Sequence, residues 1–212
     1  WGSGLGGAVD EASVAGTVSR GGSQTPSSRF AVGVNRRALE GGYGLGGNVV
    51  ANGSNDVLAL GGDVDGSFFT SAVGSTFQGF EGFEKTGAST WTLTGFKPQD
   101  WWVREGTLQG SAYNLGGNIL NDGHVLIDDS SSGSYAGRIS GSGSVTWNVN
   151  SILLNNTQTY TGLTHITSGA ISVNSAFPFV GNILLGAGTQ VGVYSGTGPA
   201  EYDGVVSGEG DF

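Results

Sequence analysis

Asp122, Asp128 and Asp129 lie within one short span of the chain, with His124 between them and Arg138 downstream. Two carboxyl groups working as acid and as base or nucleophile are what hydrolysis of a glycosidic bond requires, so this span is the first candidate for catalysis. It also has a plainer reading. NDG at 121–123 is turn chemistry, and the corresponding region of a second copy, identified below, carries no acids. The three aspartates are therefore read as turn and surface residues, and no catalytic residue is assigned. His124 and His165 are the only histidines, too few to single out a Ser-His-Asp set where Ser and Asp abound. Cysteine is absent, which excludes disulfides, thiolate nucleophiles and thiolate metal sites.

Binding of a metal or cofactor is not expected either. GGYGLGGNV at 41–49 has Gly46 where a calcium-binding nonapeptide needs Asp, and no nine-residue period follows. Gly2-Gly4-Gly7 and Gly42-Gly44-Gly47 satisfy G-x-G-x-x-G, but no helical pattern follows either one, so both are read as turns.

Aromatic and basic side chains are the better candidates for recognition. Trp101 and Trp102 are adjacent and must point to opposite faces of a strand. With Val103 inward, Trp101 points in and Trp102 out, where an exposed aromatic ring can stack on a sugar or anchor an interface. Trp102 aligns with His165 in the repeat described below, and both are expected on the outside. The segment 20–37, RGGSQTPSSRFAVGVNRR, holds Pro26 and four of the eight basic residues, and is expected to form a loop leaving the body of the protein. Trp102, His165, Arg29, Arg36 and Arg37 are thus the candidate binding residues.

The elements that would position these residues follow from composition. Of 212 residues 42 are Gly, without the strict period of collagen, and each Gly inside a helix costs about 0.8–1 kcal/mol relative to Ala. Such a chain is built from many short elements separated by tight turns. Hydrophobic content of 37% with 12% charged residues argues against disorder. The net charge of -9, with eight acids against Arg138 alone from Glu105 onward, would repel a phosphate backbone, so no nucleic-acid partner is expected. No apolar run reaches the roughly 20 residues of a membrane helix, and no membrane contact by this segment is expected. The chain starts at Trp1 and is read as a fragment of a longer one.

The sequence also repeats itself. YAGRISGSGSV ending at Val145 returns as YDGVVSGEGDF ending at Phe212, and the correspondence runs back through Ile127 with Val193, Asn118-Ile119-Leu120 with Asn182-Ile183-Leu184, and Val103 with Ile166. The offset drifts from 61 (154 minus 93) to 67 (212 minus 145), as insertions at turns would cause. A weaker copy lies upstream, where LGGNVV at 45–50 resembles LGGNIL at 115–120. Within each copy the apolar residues alternate, as in THITSGAISV, where Ile166, Ile171 and Val173 share one face. Three short coils per copy, none able to bury its own apolar face, predict a solenoid; without a 3.6 period or a leucine-rich signature, a parallel β-helix of about ten coils is the expected form. Residues 1–40 are expected to be divergent N-terminal coils or a cap with the Arg-containing loop. Residues 41–212 are expected to form one continuous domain in three-coil units of roughly 41–80, 81–143 and 144–212.

YTGLTHITSGAISV at 160–173 resembles the Y-T-G-x-T-x-I-x-x-G-x-L-x-V phrase of the passenger-associated repeats of bacterial autotransporters, the type V secretion proteins. EKTGASTWTLTG at 84–95 resembles the lysine-containing line that precedes that phrase in the same repeat. The resemblance extends over 81–212; Trp101 stands where the phrase has Thr, and NSILLNN at 150–156 replaces W-x-L-x-G. It implies a right-handed, all-β parallel β-helix, secreted through an outer-membrane barrel and displayed on or released from the bacterial cell surface. The expected role is non-enzymatic: attachment to a host cell-surface or matrix protein or glycan, or self-association between cells. A polysaccharide-active enzyme and a non-binding stalk are the alternatives.

Overall fold

Gly and Ser punctuate runs in which apolar residues occupy every second position, and in a computed structural model of the chain these runs are short β-strands whose side chains alternate in and out. The structure describes residues 15–18, 28–34, 48–156, 158–174, 180–194 and 202–211. Among the described residues there are eighteen strands and one 3-10 turn, Thr70–Ala72, and no helix is long and apolar enough to cross a membrane.

The strands stack into two long sheets. The first runs Ser28–Val34, Val57–Gly62, Gly82–Lys85, Trp101–Val103, Ile119–Asn121 and Ile139–Ser140, each parallel to the next, with Ala15–Val18 added antiparallel to Ser28–Val34. The second takes Gly66–Phe69, Thr90–Thr94, Thr107–Gly110, His124–Tyr135, Ser144–Leu154, Thr164–Asn174, Ile183–Leu185 and Val206–Gly208, again all parallel. Register gives the coil length directly. Thr107 lies beside Thr90, 17 residues earlier (107 minus 90), and Ser144 beside His124, 20 earlier (144 minus 124).

The chain is an all-β parallel β-solenoid, and the described residues complete about six turns, where repeat arithmetic over the whole chain predicts about ten. In the later coils the second-sheet strands lengthen and bend at register shifts, as between Asp129 and Ser132, so that Gln190–Tyr194 pairs with the far half of Thr164–Asn174.

The interior is one continuous apolar column. Trp91, Trp101, Tyr135, Trp147 and Tyr160 are buried in it, layered with Leu, Ile and Val from each coil. Trp101 meets Phe83 at 5.5 Å and Phe68 at 6.4 Å, and Tyr135 meets Trp147 edge-on at 5.6 Å. Ile166, Ile171 and Val173 all face the column as the alternation predicts.

A corner of the solenoid explains much of the glycine. Gly87, Gly106, Gly123, Gly143, Gly162, Gly181 and Gly204 follow one another coil by coil, starting over Gly62. A Cβ on any of the seven would fall within 3 Å of the carbonyl oxygen of the glycine one coil below, a separation real Cβ atoms do not tolerate. The coils pack edge to edge at this corner only because no side chain stands between them.

The two copies of the repeat do not occupy the same place on the coil. Ile139 pairs with Ile119 in the first sheet, whereas its sequence counterpart Val206 pairs with Ile183 in the second. Their local geometry is nevertheless alike. Gly141 and Gly208 both have positive φ, at 104° and 111°, and Gly137 and Gly204 both sit against the hydroxyl of the tyrosine two residues before them. The phrase encodes a corner and the strand after it, and the chain uses that corner on more than one side.

Candidate groove on the first sheet

Trp102 is the outward residue of Trp101–Val103, half-buried, while Trp101 beneath it is only 2% exposed. Register places Glu84 one coil before Trp102, Leu120 one coil after it and Ser140 one further. These residues form a line across the strands and therefore along the solenoid axis. Arg104, two positions on and so on the same face, lays its guanidinium over the Trp102 ring at 3.3 Å and reaches the Glu84 carboxylate at 3.0 Å. The indole Nε1 of Trp102 donates to Asp122 Oδ2 at 3.0 Å. That bond, with those from Ser142 and the charge of Arg104, outweighs the small desolvation of Asp122 and holds its carboxyl below the usual range.

Beside this assembly lies an open groove of about 580 Å³, lined by Glu81, Glu84, Asp100, Trp102, Asn118, Leu120, Arg138 and Ser140 among others. The carboxylates in it each have a structural partner. Glu81 Oε2 accepts the Asp56 amide at 2.8 Å, Asp100 Oδ1 accepts the Asn118 amide at 2.7 Å, and Glu84 holds Arg104. Arg138 is exposed, and its guanidinium donates to the Thr159 hydroxyl at 3.3 Å. Leu120 is 41% exposed and extends the apolar surface of the indole.

The other sequence-derived candidates lie elsewhere. His165 faces outward on the second sheet beside Thr146 and Leu184, so it does not share a sheet with Trp102, its counterpart in the sequence repeat. The correction has the same origin as that of Ile139 and Val206: the repeat preserves the local strand but not its side of the coil. Arg29 lies on Ser28–Val34, opposite Val57, so 28–34 of the segment expected to leave the body as a loop is instead a strand of the first sheet, its apolar FAV run suited to that place; Arg36 and Arg37 lie outside the described residues. His124 is half-buried with Nδ1 2.8 Å from Ser144 Oγ, and its pKa is lowered by burial, opposed by a hydrogen bond to the Ser144 backbone and aided by His165.

The aspartates read as surface residues are each engaged. Asp128 accepts from Gln109 and Asn148, and Asp129 accepts the Ala112 amide and Ser131. Among the described residues no three His, Asp or Glu side chains are grouped to hold a metal ion.

Two features escape sequence reading. Lys85 is fully buried and its Nζ donates to the carbonyl oxygens of Thr86, Gly87 and Glu105, at 2.9, 2.7 and 3.1 Å. Burial pulls its pKa down to about 8, partly offset by Glu105 and Asp65. Phe96, 80% exposed, meets Tyr113 edge-on at 6.2 Å where the second-sheet strands turn. An aromatic directly after the strand-ending Thr94-Gly95 is the only sequence signal for it.

Comparison with protein-family models, with curated proteins and with solved structures gives no match.

Proposed function

We propose that this chain is a surface-presenting segment of an autotransporter passenger, displayed on or released from a bacterial cell, that attaches to a host surface or matrix component or to a neighbouring cell. The observation that supports attachment is the Trp102 groove: an immobilised aromatic ring beside an exposed leucine, open to solvent along the solenoid axis. The reading includes a right-handed winding, the hand that parallel crossover connections take in about 98% of cases, and about ten coils over the full 212 residues.

A second reading, cleavage of a polysaccharide, draws on three carboxylates lining the same groove, Glu81, Glu84 and Asp100. Their engagement with Asp56, Arg104 and Asn118 favours structural work over proton transfer. The test is to display the chain on a carrier cell and measure adherence to matrix proteins, glycan surfaces and sister cells, with product analysis of the glycans. Adherence above the bare carrier without cleavage is the expected result. Cleaved products would transfer the assignment to the enzyme, and absence of all adherence would leave a stalk. Replacing Arg29, Arg36 and Arg37 by Ser in the same assay, which keeps the strand Ser28–Val34 in the chain, decides whether the Arg-containing segment takes part.

A further inference from the structure

We propose that the Trp102 groove is a binding site for an uncharged, hydroxyl-rich saccharide chain lying along the solenoid axis, an inference that rests on the attachment reading and names its ligand.

The ring supplies the first argument. One face of the indole is covered by Arg104, which does not line the groove, while Trp102 itself does, together with Asp100 two residues before it. What Trp102 offers to the groove is thus the ring surface that Arg104 leaves uncovered. A flat apolar face with polar groups at its margin matches a pyranose, whose axial C–H bonds form an apolar side rimmed by hydroxyls. The ring is also fixed before any ligand arrives, by the guanidinium on one side and the Asp122 bond at its edge, which lowers the entropy lost on binding.

Charge and direction narrow the ligand. Arg104 is spent on Glu84, which leaves Arg138 as the groove's cation against Glu81 and Asp100. Carboxylates accept hydrogen bonds from hydroxyls but repel sulfate and carboxylate groups, and the whole chain carries a net charge of -9. A sulfated or uronic saccharide is thus disfavoured. Because Glu84, Trp102, Leu120 and Ser140 succeed one another across parallel strands, about 4.8 Å apart, an extended chain running along the axis passes over all four.

The experiment uses the full chain with hexasaccharides of β-linked glucose, N-acetylglucosamine and mannose, and a sulfated heparin hexasaccharide as the charged probe. Binding is read by saturation-transfer NMR and tryptophan emission. At least one uncharged probe is expected to bind and the sulfated one not to. Trp102→Ala should weaken binding about tenfold or more, while Trp102→Phe retains most of it. Leu120→Arg, which fills the groove and leaves Trp102 with its two partners, should weaken binding as well and serves if Trp102→Ala does not fold. Binding of the sulfated probe alone, binding of no uncharged probe, or full binding by a folded Leu120→Arg protein overturns the proposal. Adherence of displaying cells in any of those cases would leave the attachment reading standing with a different ligand.

Discussion

The carbonyl oxygen of Gly143 lies beneath Gly162 at a distance that no Cβ could occupy, and Gly143 stands in the same relation to Gly123. The solenoid's axial spacing at this corner is set by that contact. Gly143→Ala is therefore expected to lower the thermal midpoint strongly, by the loss of about 1–3 kcal/mol that overpacking brings. Gly133→Ala is the control, since its Cβ would meet nothing within 4 Å, and its midpoint should be unchanged or slightly raised. Equal losses in calorimetric scans of the two variants would remove the contact as the cause.

Lys85 anchors the same corner from inside, one ammonium satisfying carbonyls on two successive coils. Lys85→Met leaves three part-buried acceptors without this donor and should cost about 2 kcal/mol at pH 7. The pH dependence has a definite sign. The folded pKa, about 8, is below the ordinary lysine value of 10.5, so the unfolded state binds more protons between them. Wild-type stability should rise relative to Lys85→Met as pH passes from about 8 to 10.5. Urea midpoints at pH 7, 9 and 10 measure this, and a fall across that window would contradict the burial argument.

Asp122 and Trp102 form a lateral contact between adjacent coils, and the carboxylate is the acceptor. Its pKa is depressed, so the bond is present above the ordinary carboxylate value and lost as pH falls through the lower folded value. With fluorotryptophan incorporated, the 19F resonance of Trp102 should titrate with a midpoint below 3.8, and Asp122→Asn should remove that titration. A midpoint at or above the ordinary value would show that the bond is not formed in solution.

How much of this was legible in the sequence depends on the range of the signal. Alternation is local, and it correctly turned Trp101 inward and Trp102 outward, and set Ile166, Ile171 and Val173 on one side. The side of the coil is not local. Ile139 and Val206 follow the same Gly-rich phrase yet enter different sheets, because the phrase specifies a corner and nothing in it counts corners. Arg104 over Trp102 is an i, i+2 relation and readable once a strand is assumed, whereas Asp122, 20 residues on (122 minus 102), becomes a neighbour only when the coil length is known. Lys85 was hidden because alternation treats a charged residue as outward, and only the ring of three carbonyls makes the inward position tenable.

Phe68 and Phe69 give the sharpest test of the alternation itself, since they are adjacent on Gly66–Phe69 and chemically identical. Phe68, 5% exposed, packs 5.3 Å from Phe77 and 6.4 Å from Trp101, so truncating it opens a cavity in the aromatic layer. Phe69 is 56% exposed and carries little of the core. Phe68→Ala should cost about 3–5 kcal/mol, and Phe69→Ala no more than about 1 kcal/mol. Thermal midpoints of the two single variants decide it. A slipped register by one residue would exchange the two faces and reverse the order of the losses, so the comparison tests the pairing of Phe68 with Leu93 and of Phe69 with Thr94.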